Sequence, residues 1–236
     1  MKTLLISLLA CGIALAQTPP APKKAAPAAP KKAAPVAVPD LLHPGTLKAR
    51  APEVYKVKFT TTKGDVIIQV NRVWAPIGSD RFYNLVRAGF YKDAAFFRIV
   101  PRFVAQFGIP ARPDVAAVWD HAYLVDDRVT QSNKRGTLTF ATAGPNTRTT
   151  QIFINYSDNT SLDGQGFAPF GTVIDGMDVV DKFFAGYGES PDQARITAQG
   201  KAYLDKSFPN LDRIISAVIM PADAPAPAAA APDTKK

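Results

Sequence analysis

Apolar and polar positions alternate at the start of the central part of the chain. Residues 54–60 place apolar side chains on nearly every second position, and residues 66–70 form a second apolar run after Lys63-Gly64-Asp65. Alternation with a period of two is typical of a β-strand, and a short connection containing glycine is typical of a hairpin. The pattern therefore predicts a β-hairpin.

Two other segments repeat their apolar residues at helical spacing. Apolar residues repeat in this way over residues 74–88. Pro76 lies near the start, where proline favours a first helical turn, and Gly89 ends the predicted helix. This pattern predicts an amphipathic helix packed on a sheet. Residues 177–184 show the same spacing and predict a second helix.

The remaining apolar runs are short and are separated by turn-forming residues. They predict further strands over residues 94–99, 103–106, 136–141, 151–155, 170–174 and 214–220. Residues 110–127 show no clear period and are predicted to form a long irregular stretch. Many short strands, long loops and two helices favour a closed or nearly closed β-barrel over an α/β sheet.

Residues 1–16 have the composition of a secretory signal. Lys2 is followed by an apolar stretch that reaches Leu15, and Ala14-Leu15-Ala16 forms a cleavage site of the A-x-A type. The apolar stretch is too short for a stable transmembrane span. We therefore predict cleavage after Ala16 and a periplasmic or secreted protein.

The single cysteine offers a second interpretation of this signal. Leu8-Leu9-Ala10-Cys11 loosely resembles a bacterial lipobox, which would anchor the chain through a lipid on Cys11. The apolar stretch before it is very short and apolar residues continue to Ala16, so ordinary cleavage is favoured. A chain cleaved after Ala16 has no cysteine and can form no disulfide.

Proline, alanine and lysine dominate both flanks of the central region. Residues 17–52 contain Ala-Pro-Lys-Lys-Ala-Ala-Pro twice, at 21–27 and 29–35, and residues 221–236 are rich in proline and alanine. Such sequences cannot bury a core and favour extended, polyproline-like conformations. We predict a disordered linker over 17–52, one folded domain over 54–220 and a disordered tail over 221–236.

The net charge of +8 belongs mostly to the flanks. Residues 54–220 carry 19 Lys and Arg against 16 Asp and Glu, a net charge of +3. The basic linker could touch the anionic lipid or polymer of a cell envelope weakly, although a solvated spacer is the simpler interpretation. The basic residues of the domain are scattered and form no nucleic-acid-reading motif, so no nucleic-acid partner is expected.

Two segments combine hydrogen-bond donors with apolar side chains. Residues 96–106 and 143–153 each set an arginine or an amide among aromatic and branched apolar residues, which predicts an apolar pocket with a few fixed donors. No partnered nucleophile, carboxylate pair or metal-ligating cluster lies beside them in sequence, so the site suits a reaction that makes no covalent bond. Taken alone, Arg98 fits an ordinary surface or ion-paired arginine better than a donor to a substrate carbonyl or amide nitrogen.

Several motifs in a fixed order connect these segments. They are Phe96-x-Arg98-x-x-Pro101-x-Phe103-x-x-Gln106-x-Gly108, Ala141-x-Ala143-Gly144-Pro145-Asn146-Thr147 with Gln151-x-Phe153, Leu162-Asp163-Gly164, Phe170-Gly171 and Gly176-Met177-Asp178-Val179-Val180. The series resembles the cyclophilins, which are peptidyl-prolyl cis/trans isomerases, in a bacterial, exported form. The resemblance covers essentially all of residues 54–220.

The resemblance implies a closed antiparallel eight-stranded β-barrel with two capping α-helices. It implies that Arg98 and Gln106 are catalytic and that Phe103, Val104, Phe153 and Leu162 line a pocket for the proline ring. The substrate-binding residues that it implies are Phe103, Val104, Ala141, Thr142, Gln151, Phe153, Leu162 and Phe167. It requires no cofactor and no metal. The expected partners are proline-containing polypeptide clients, namely exported proteins whose folding is assisted, and the chain is expected to act as a monomer.

The chain departs from the family pattern at several positions. Ser161 stands where many cyclophilins have a tryptophan, and Phe167 stands where they have a pocket histidine, so the pocket loses a polar edge. Arg148-Thr149-Thr150 replaces a stretch similar to Asn-Gly-Ser. These changes should alter loop shape and side-chain preference, but they leave the arginine and the apolar pocket in place.

Two other functions are compatible with parts of the sequence. A hydrolase would need a nucleophile and a base, yet no nucleophile-elbow motif accompanies His121, the only histidine of the domain. A binding module would hold proline-containing segments as a chaperone or scaffold with little turnover. The presence of Arg98 beside Phe103 and Gln106 favours the enzyme.

Overall fold

The computed structural model describes residues 40–221, which form an eight-stranded antiparallel sheet with helices packed around it. The predicted signal at 1–16, most of the predicted linker and nearly all of the predicted tail lie outside the described residues. Among the residues described, no helix has both the length and the apolar character that crossing a bilayer requires.

The strands follow the predicted order along the chain. They are β1 (Val54–Thr61), β2 (Gly64–Asn71), β3 (Arg98–Val100), β4 (Val104–Phe107), β5 (Thr137–Phe140), β6 (Ile152–Asn155), β7 (Pro169–Asp175) and β8 (Ile214–Ile219). Across the sheet their order is β3-β4-β6-β5-β7-β2-β1-β8, and all neighbours are antiparallel. The predicted hairpin of β1 and β2 is confirmed.

The helices differ more from the predictions than the strands do. They are α1 (Pro76–Arg87), α2 (Pro113–Trp119), α3 (Met177–Val180) and α4 (Gln193–Ser207), and a 3₁₀ helix spans Thr160–Gln165. α1 confirms the helix predicted over 74–88, whereas α3 covers only the first part of the helix predicted over 177–184. The prediction of an irregular stretch over 110–127 is wrong at α2, and the apolar pattern does not predict α4. The expectation of two capping helices is therefore wrong, since the described residues contain four α-helices.

The two unpredicted helices have weak local signals for different reasons. α2 is too short for its apolar residues to repeat over several turns. α4 is broken at Gly200, whose φ is +57°, and a Cβ added there would lie 2.2 Å from the carbonyl oxygen of Ala111. The break lets the Lys201 N–H donate to that carbonyl at 2.9 Å. A long-range contact therefore shapes α4, and local periodicity cannot reveal it.

The sheet is open, so the expectation of a closed barrel is wrong. β3 and β8 lie at its two edges and do not form a ladder with each other. Within residues 40–221, an isolated bridge between Ala95 and Arg213 spans this gap, and the Phe96 N–H donates to the Asp212 carbonyl at 2.9 Å. β3 begins four residues later than the strand predicted from residue 94, so too little extended chain faces β8 to complete a ladder. The sheet is a curled half-barrel.

Aromatic side chains fill the inner face of the curled sheet. The ring of Phe59 lies 6.1 Å from that of Phe82, 6.0 Å from that of Tyr91 and 5.7 Å from that of Phe107, measured between centroids. These rings are tilted or edge-on to one another, as their quadrupoles favour. Because Phe107 belongs to β4, this packing also fixes the position of β4 in the sheet.

Residues 40–53, most of which fall in the predicted linker, lie against the domain. The indole N–H of Trp119 donates to the Leu41 carbonyl at 2.7 Å. The Asn84 side chain accepts from the Ala49 N–H at 3.1 Å and donates to the Ala49 carbonyl at 2.7 Å. These contacts with α1 and α2 show that the packed part of the chain begins before the predicted start of the domain.

A buried ion pair joins the segment before β5 to the connection between β5 and β6, and its carboxylate also binds the start of α1. Arg148 donates from Nη1 to the Asp127 carboxylate at 3.0 Å, and both side chains are almost fully buried. The same carboxylate accepts the backbone N–H groups of Ile77 and Gly78 at 2.9 and 2.8 Å. Asp127 therefore caps the first turn of α1, where a negative charge is favourable. Arg148 also donates from Nε to Asp126 at 3.1 Å.

We expect Arg148→Met to lower the free energy of unfolding by about 3 kcal/mol, because it leaves the buried Asp127 carboxylate without its cation. Urea unfolding followed by circular dichroism measures the change. The control is Lys182→Met, which removes an exposed ion pair with Asp178 and is expected to leave the urea midpoint unchanged. Equal midpoints for the two variants would contradict a structural role for the buried pair.

Candidate functional site

The pairing of β3, β4 and β6 brings polar and apolar side chains together on the outer face of the sheet. Gln106 of β4 is paired with Arg98 of β3 on one side and with Phe153 of β6 on the other. Directly opposed residues in antiparallel strands share a face of the sheet. The neighbours Ala105 and Phe107 belong to the inner core. Gln106 and its two partners therefore face away from that core.

Arg98 has polar neighbours on one side and an aromatic neighbour on another. Its Nη1 donates to Oε1 of Gln106 at 3.1 Å, and its Nε donates to Oε1 of Glu189 at 2.5 Å. Its guanidinium carbon lies 5.8 Å from the ring centroid of Phe103, within the range of a cation–π contact. The side chain is 26% exposed. Arg98 is thus ion-paired and at the same time accessible beside apolar side chains.

A line of side-chain amides continues from Arg98 across the sheet. The buried Gln106 side chain donates from Nε2 to Oε1 of Gln151 at 2.8 Å. The Gln151 backbone carbonyl accepts the Ala141 N–H at 2.9 Å, which holds the residue in place. Within residues 40–221, the side-chain nitrogen Nε2 of Gln151 donates no hydrogen bond, so it is able to donate to a bound peptide.

A small apolar cluster, separate from the inner core, lies beside this line. Its buried members are Val104, Phe153 and Leu162, and Phe103, Ala141 and Phe167 pack against them while partly exposed. The rings of Phe153 and Phe167 meet edge-on with centroids 5.8 Å apart. The cluster arises because β4 and β6 send alternate residues outward, where no other layer of the fold covers them completely. An apolar ring could bind in this place.

A polar cavity of about 450 Å³ adjoins the cluster and the amide line. Ala141 and Thr142 line one part of it, and the Thr142 hydroxyl hydrogen-bonds within its own loop to Thr147 at 2.9 Å. Asp120, Tyr123 and Gln193 line another part. The latter three residues come from the end of α2, the segment after it and the start of α4, so the unpredicted helices supply walls of this cavity.

The position of Leu162 in the cluster depends on the next residue, Asp163. The Asp163 carboxylate accepts from the backbone and side-chain nitrogens of Asn133 at 2.8 and 2.7 Å and from the Ser132 hydroxyl at 2.5 Å. Partial burial acts to raise the pKa of Asp163, but these hydrogen bonds outweigh it and hold the pKa below its usual value. The carboxylate thereby fastens the 3₁₀ helix that carries Leu162.

The residues of a hydrolytic or metal site are not brought together in the part of the chain that the structure describes. His121 is exposed and its Nδ1 lies 3.4 Å from the Tyr123 hydroxyl, with no serine hydroxyl bonded to it. Residues 40–221 contain no group of three or more His, Cys, Asp and Glu placed to hold a metal ion. The polar groups beside the cluster are an arginine and two amides, which bind and polarise a substrate without becoming covalently attached to it.

Comparison with known proteins assigns the chain to a family. The sequence model of the family described as "Cyclophilin type peptidyl-prolyl cis-trans isomerase/CLD" matches residues 56–200. The chain belongs to the cyclophilin-type peptidyl-prolyl isomerases. It is therefore an enzyme that accelerates the cis/trans rotation of X-Pro bonds, as the order of motifs in the sequence predicts.

Named relatives and solved structures agree with this family. Peptidyl-prolyl cis-trans isomerase B of Escherichia coli K12 is 33% identical over 172 residues, which are 69% of this chain and 97% of that protein. A peptidyl-prolyl cis-trans isomerase of Acinetobacter baylyi is 35% identical over 136 residues, 53% of this chain and 70% of that protein. A crystal structure of a cyclophilin-type isomerase from Cryptosporidium parvum has the same fold, with a TM-score of 0.54 at 23% identity, covering 71% of this chain and 98% of that one.

The structure places all ten predicted site residues of the isomerase in the outer cluster, the amide line or the polar cavity. The outer apolar cluster contains Val104, Phe153 and Leu162 with Phe103, Ala141 and Phe167, the amide line joins Arg98, Gln106 and Gln151, and Thr142 lines the polar cavity.

Sequence reasoning missed other residues of the site. The sequence pattern could have pointed to Asp163, since this residue stands in the Leu162-Asp163-Gly164 motif. No sequence pattern points to Glu189, because 91 positions separate it from Arg98.

We expect Asp163→Asn to raise KM for a proline peptide about five- to tenfold with little change in kcat, because losing the charged acceptor loosens the helix that carries Leu162. The measurement is the peptide-concentration dependence of cis/trans exchange. An unchanged KM in this variant would contradict the role of Asp163.

The KM of the wild-type isomerase should depend on pH through the protonation of Asp163. A carboxyl whose pKa is lowered by folding stabilises the fold above its unfolded-state pKa, about 3.9, and this stabilisation is lost as the pH falls through the lower folded-state value. KM should therefore stay constant from neutral pH to about pH 4 and rise only in more acidic solution.

Proposed function

We propose that Arg98 is the catalytic group of this isomerase and that the outer cluster of Val104, Phe153 and Leu162 binds the proline ring. One observation supports this above all. The Arg98 guanidinium and the cluster lie side by side, with the ring of Phe103 packed against the cluster and centred 5.8 Å from the guanidinium carbon. A proline ring in the cluster would bring its amide nitrogen close to Arg98.

The chemistry needs one well-placed donor. The X-Pro amide resists rotation by roughly 18–20 kcal/mol because the nitrogen lone pair is shared with the carbonyl. In the twisted transition state this lone pair returns to nitrogen and can accept a hydrogen bond. The Arg98 guanidinium would donate there and bind the twisted state more tightly than either planar isomer, which is the condition for acceleration.

The other candidate residues would hold the substrate while one side of the bond turns. Gln106 orients Arg98 through its 3.1 Å hydrogen bond and, with Gln151, would bind the peptide backbone. Phe103 and Phe167 would close over the proline ring at the rim of the cluster. Ala141 and Thr142, with the remaining wall of the polar cavity, would receive neighbouring residues of the client. A related cyclophilin-type isomerase from Cryptosporidium parvum was crystallised in the presence of the dipeptide Ala-Pro, which suggests such a dipeptide as the minimal probe.

We expect Arg98→Ala to lower kcat/KM about 100-fold or more, because it removes the donor to the transition state. Exchange NMR on a short Ala-Pro peptide measures the cis/trans rate directly, and Arg98→Lys tests whether charge alone suffices. Chemical-shift changes of the peptide show whether binding persists in each variant.

The possible outcomes separate the enzyme from a binding module. Exchange that collapses in Arg98→Ala while the peptide still binds would support the proposed role. Full acceleration by Arg98→Ala would contradict the proposed role of Arg98. Peptide binding without any acceleration by the wild-type protein would point to a chaperone or scaffold that holds proline segments.

We also propose that the isomerase works outside the cytoplasm on the folding of exported proteins, as a monomer. The support is the signal pattern of residues 1–16 and the Pro/Ala/Lys linker after it, whose basic residues would favour weak contact with an anionic envelope. Slow X-Pro rotation limits the folding of many chains, and this would give the enzyme its clients.

The mature N-terminus tests the exported location. Expression of the full chain in a bacterial host should yield a periplasmic or secreted form that begins at Gln17, as mass spectrometry of the intact protein would show. A form that begins at a lipid-modified Cys11 would favour the lipobox, and an uncleaved cytoplasmic form would contradict export.

A further inference from the structure

Glu189 contacts the Arg98 side chain directly, although it belongs to none of the motifs that identify the family. Oε1 of Glu189 accepts from Nε of Arg98 at 2.5 Å. Glu189 lies in the segment between α3 and α4, and its side chain is 62% exposed, so it is not part of a buried structural pair. Among the described residues 40–221, the Glu189 carboxylate bonds to one group, the guanidinium of the proposed catalytic residue.

The backbone around Glu189 is held in place on both sides. The Gly188 carbonyl accepts the Ile99 N–H of β3 at 3.2 Å, and Gly188 adopts φ +52°, a left-handed turn that suits glycine. The ring of Tyr187 lies 4.9 Å from that of Phe184 and 5.1 Å from that of Phe208 at the end of α4. Glu189 is therefore fixed relative to β3, the strand that carries Arg98.

Some N–H groups of Arg98 are hydrogen-bonded and others are not. Glu189 occupies Nε and Gln106 occupies Nη1, at 2.5 and 3.1 Å. Within residues 40–221, Nη2 donates to no acceptor. An arginine side chain has many rotamers, and a planar guanidinium held at two of its nitrogens loses most of that freedom. The two contacts therefore use two of the five N–H groups of the guanidinium and leave both N–H groups of Nη2 available in a defined direction.

We propose that Glu189 is a positioning residue that holds the Arg98 guanidinium so that Nη2 is directed at the prolyl nitrogen. The inference rests on the proposed catalytic role of Arg98. Glu189 does not touch the substrate. It acts by keeping Arg98 in its catalytic orientation before the peptide binds, so that no binding energy is used to order a flexible side chain. The segment between α3 and α4 thereby becomes part of the catalytic apparatus.

The first test compares Glu189→Gln with Glu53→Gln in the full chain. These are the only two glutamates of the sequence. The Glu53 side chain is 65% exposed, close to the 62% of Glu189, and is ion-paired with Arg50 at 2.6 Å. We expect Glu189→Gln to lower kcat about fivefold with KM unchanged, and Glu53→Gln to leave both unchanged. The two variants should unfold at the same temperature as the wild type, which would show that the lower kcat of Glu189→Gln does not come from a loss of stability.

The second test is a double-mutant cycle with Arg98→Ala. If Glu189 acts through Arg98, then Glu189→Gln has no further effect on exchange in the Arg98→Ala background. A fall of equal size in both backgrounds would overturn the inference, as would a kcat equal to that of Glu53→Gln. A rise in kcat would overturn it as well, since the ion pair would then restrain Arg98 in an inactive state. Failure of the Arg98 proposal is distinguishable, because Arg98→Ala alone would then keep its activity.

Discussion

The site depends on the register of three antiparallel strands at Gln106. This residue of β4 is paired with Arg98 on β3 and with Phe153 on β6, so that the donor, the amide and the apolar ring share one face. A shift of one residue in either pairing would turn Arg98 or Phe153 to the opposite face. The aromatic packing of Phe107 against Phe59 on the inner face opposes such a shift.

The two faces of the same strands therefore carry different tasks. Inward residues of β4 and β6 build the core that fixes the register, and outward residues build the cluster and the amide line. Because the outer cluster is left partly uncovered, it exposes the apolar surface that we propose as the binding place of the proline ring. Amide resonance makes the uncatalysed reaction slow, and in the proposed mechanism the apolar pocket and one oriented donor would accelerate it. Alternate residues of the same short strands thus supply the core on one face and the proposed site on the other.

Segments outside the regular sheet complete the site. The polar cavity takes walls from the end of α2 and the start of α4, and the segment between α3 and α4 delivers Glu189 to Arg98. Asp127, in the segment before β5, is ion-paired with Arg148 of the connection between β5 and β6 and also accepts hydrogen bonds from the first turn of α1.

The sequence by itself determined the strands, helix α1, the family and most of the outer cluster. Each of these has a local signal: alternation in residues 54–70, helical spacing in 74–88, and ordered motifs around Arg98 and Phe153. Only the tertiary structure decided the open edge between β3 and β8, the break of α4 at Gly200 and the contact of Glu189 with Arg98. These features depend on groups far apart in the chain, and local periodicity carries no information about which distant partner a residue will contact.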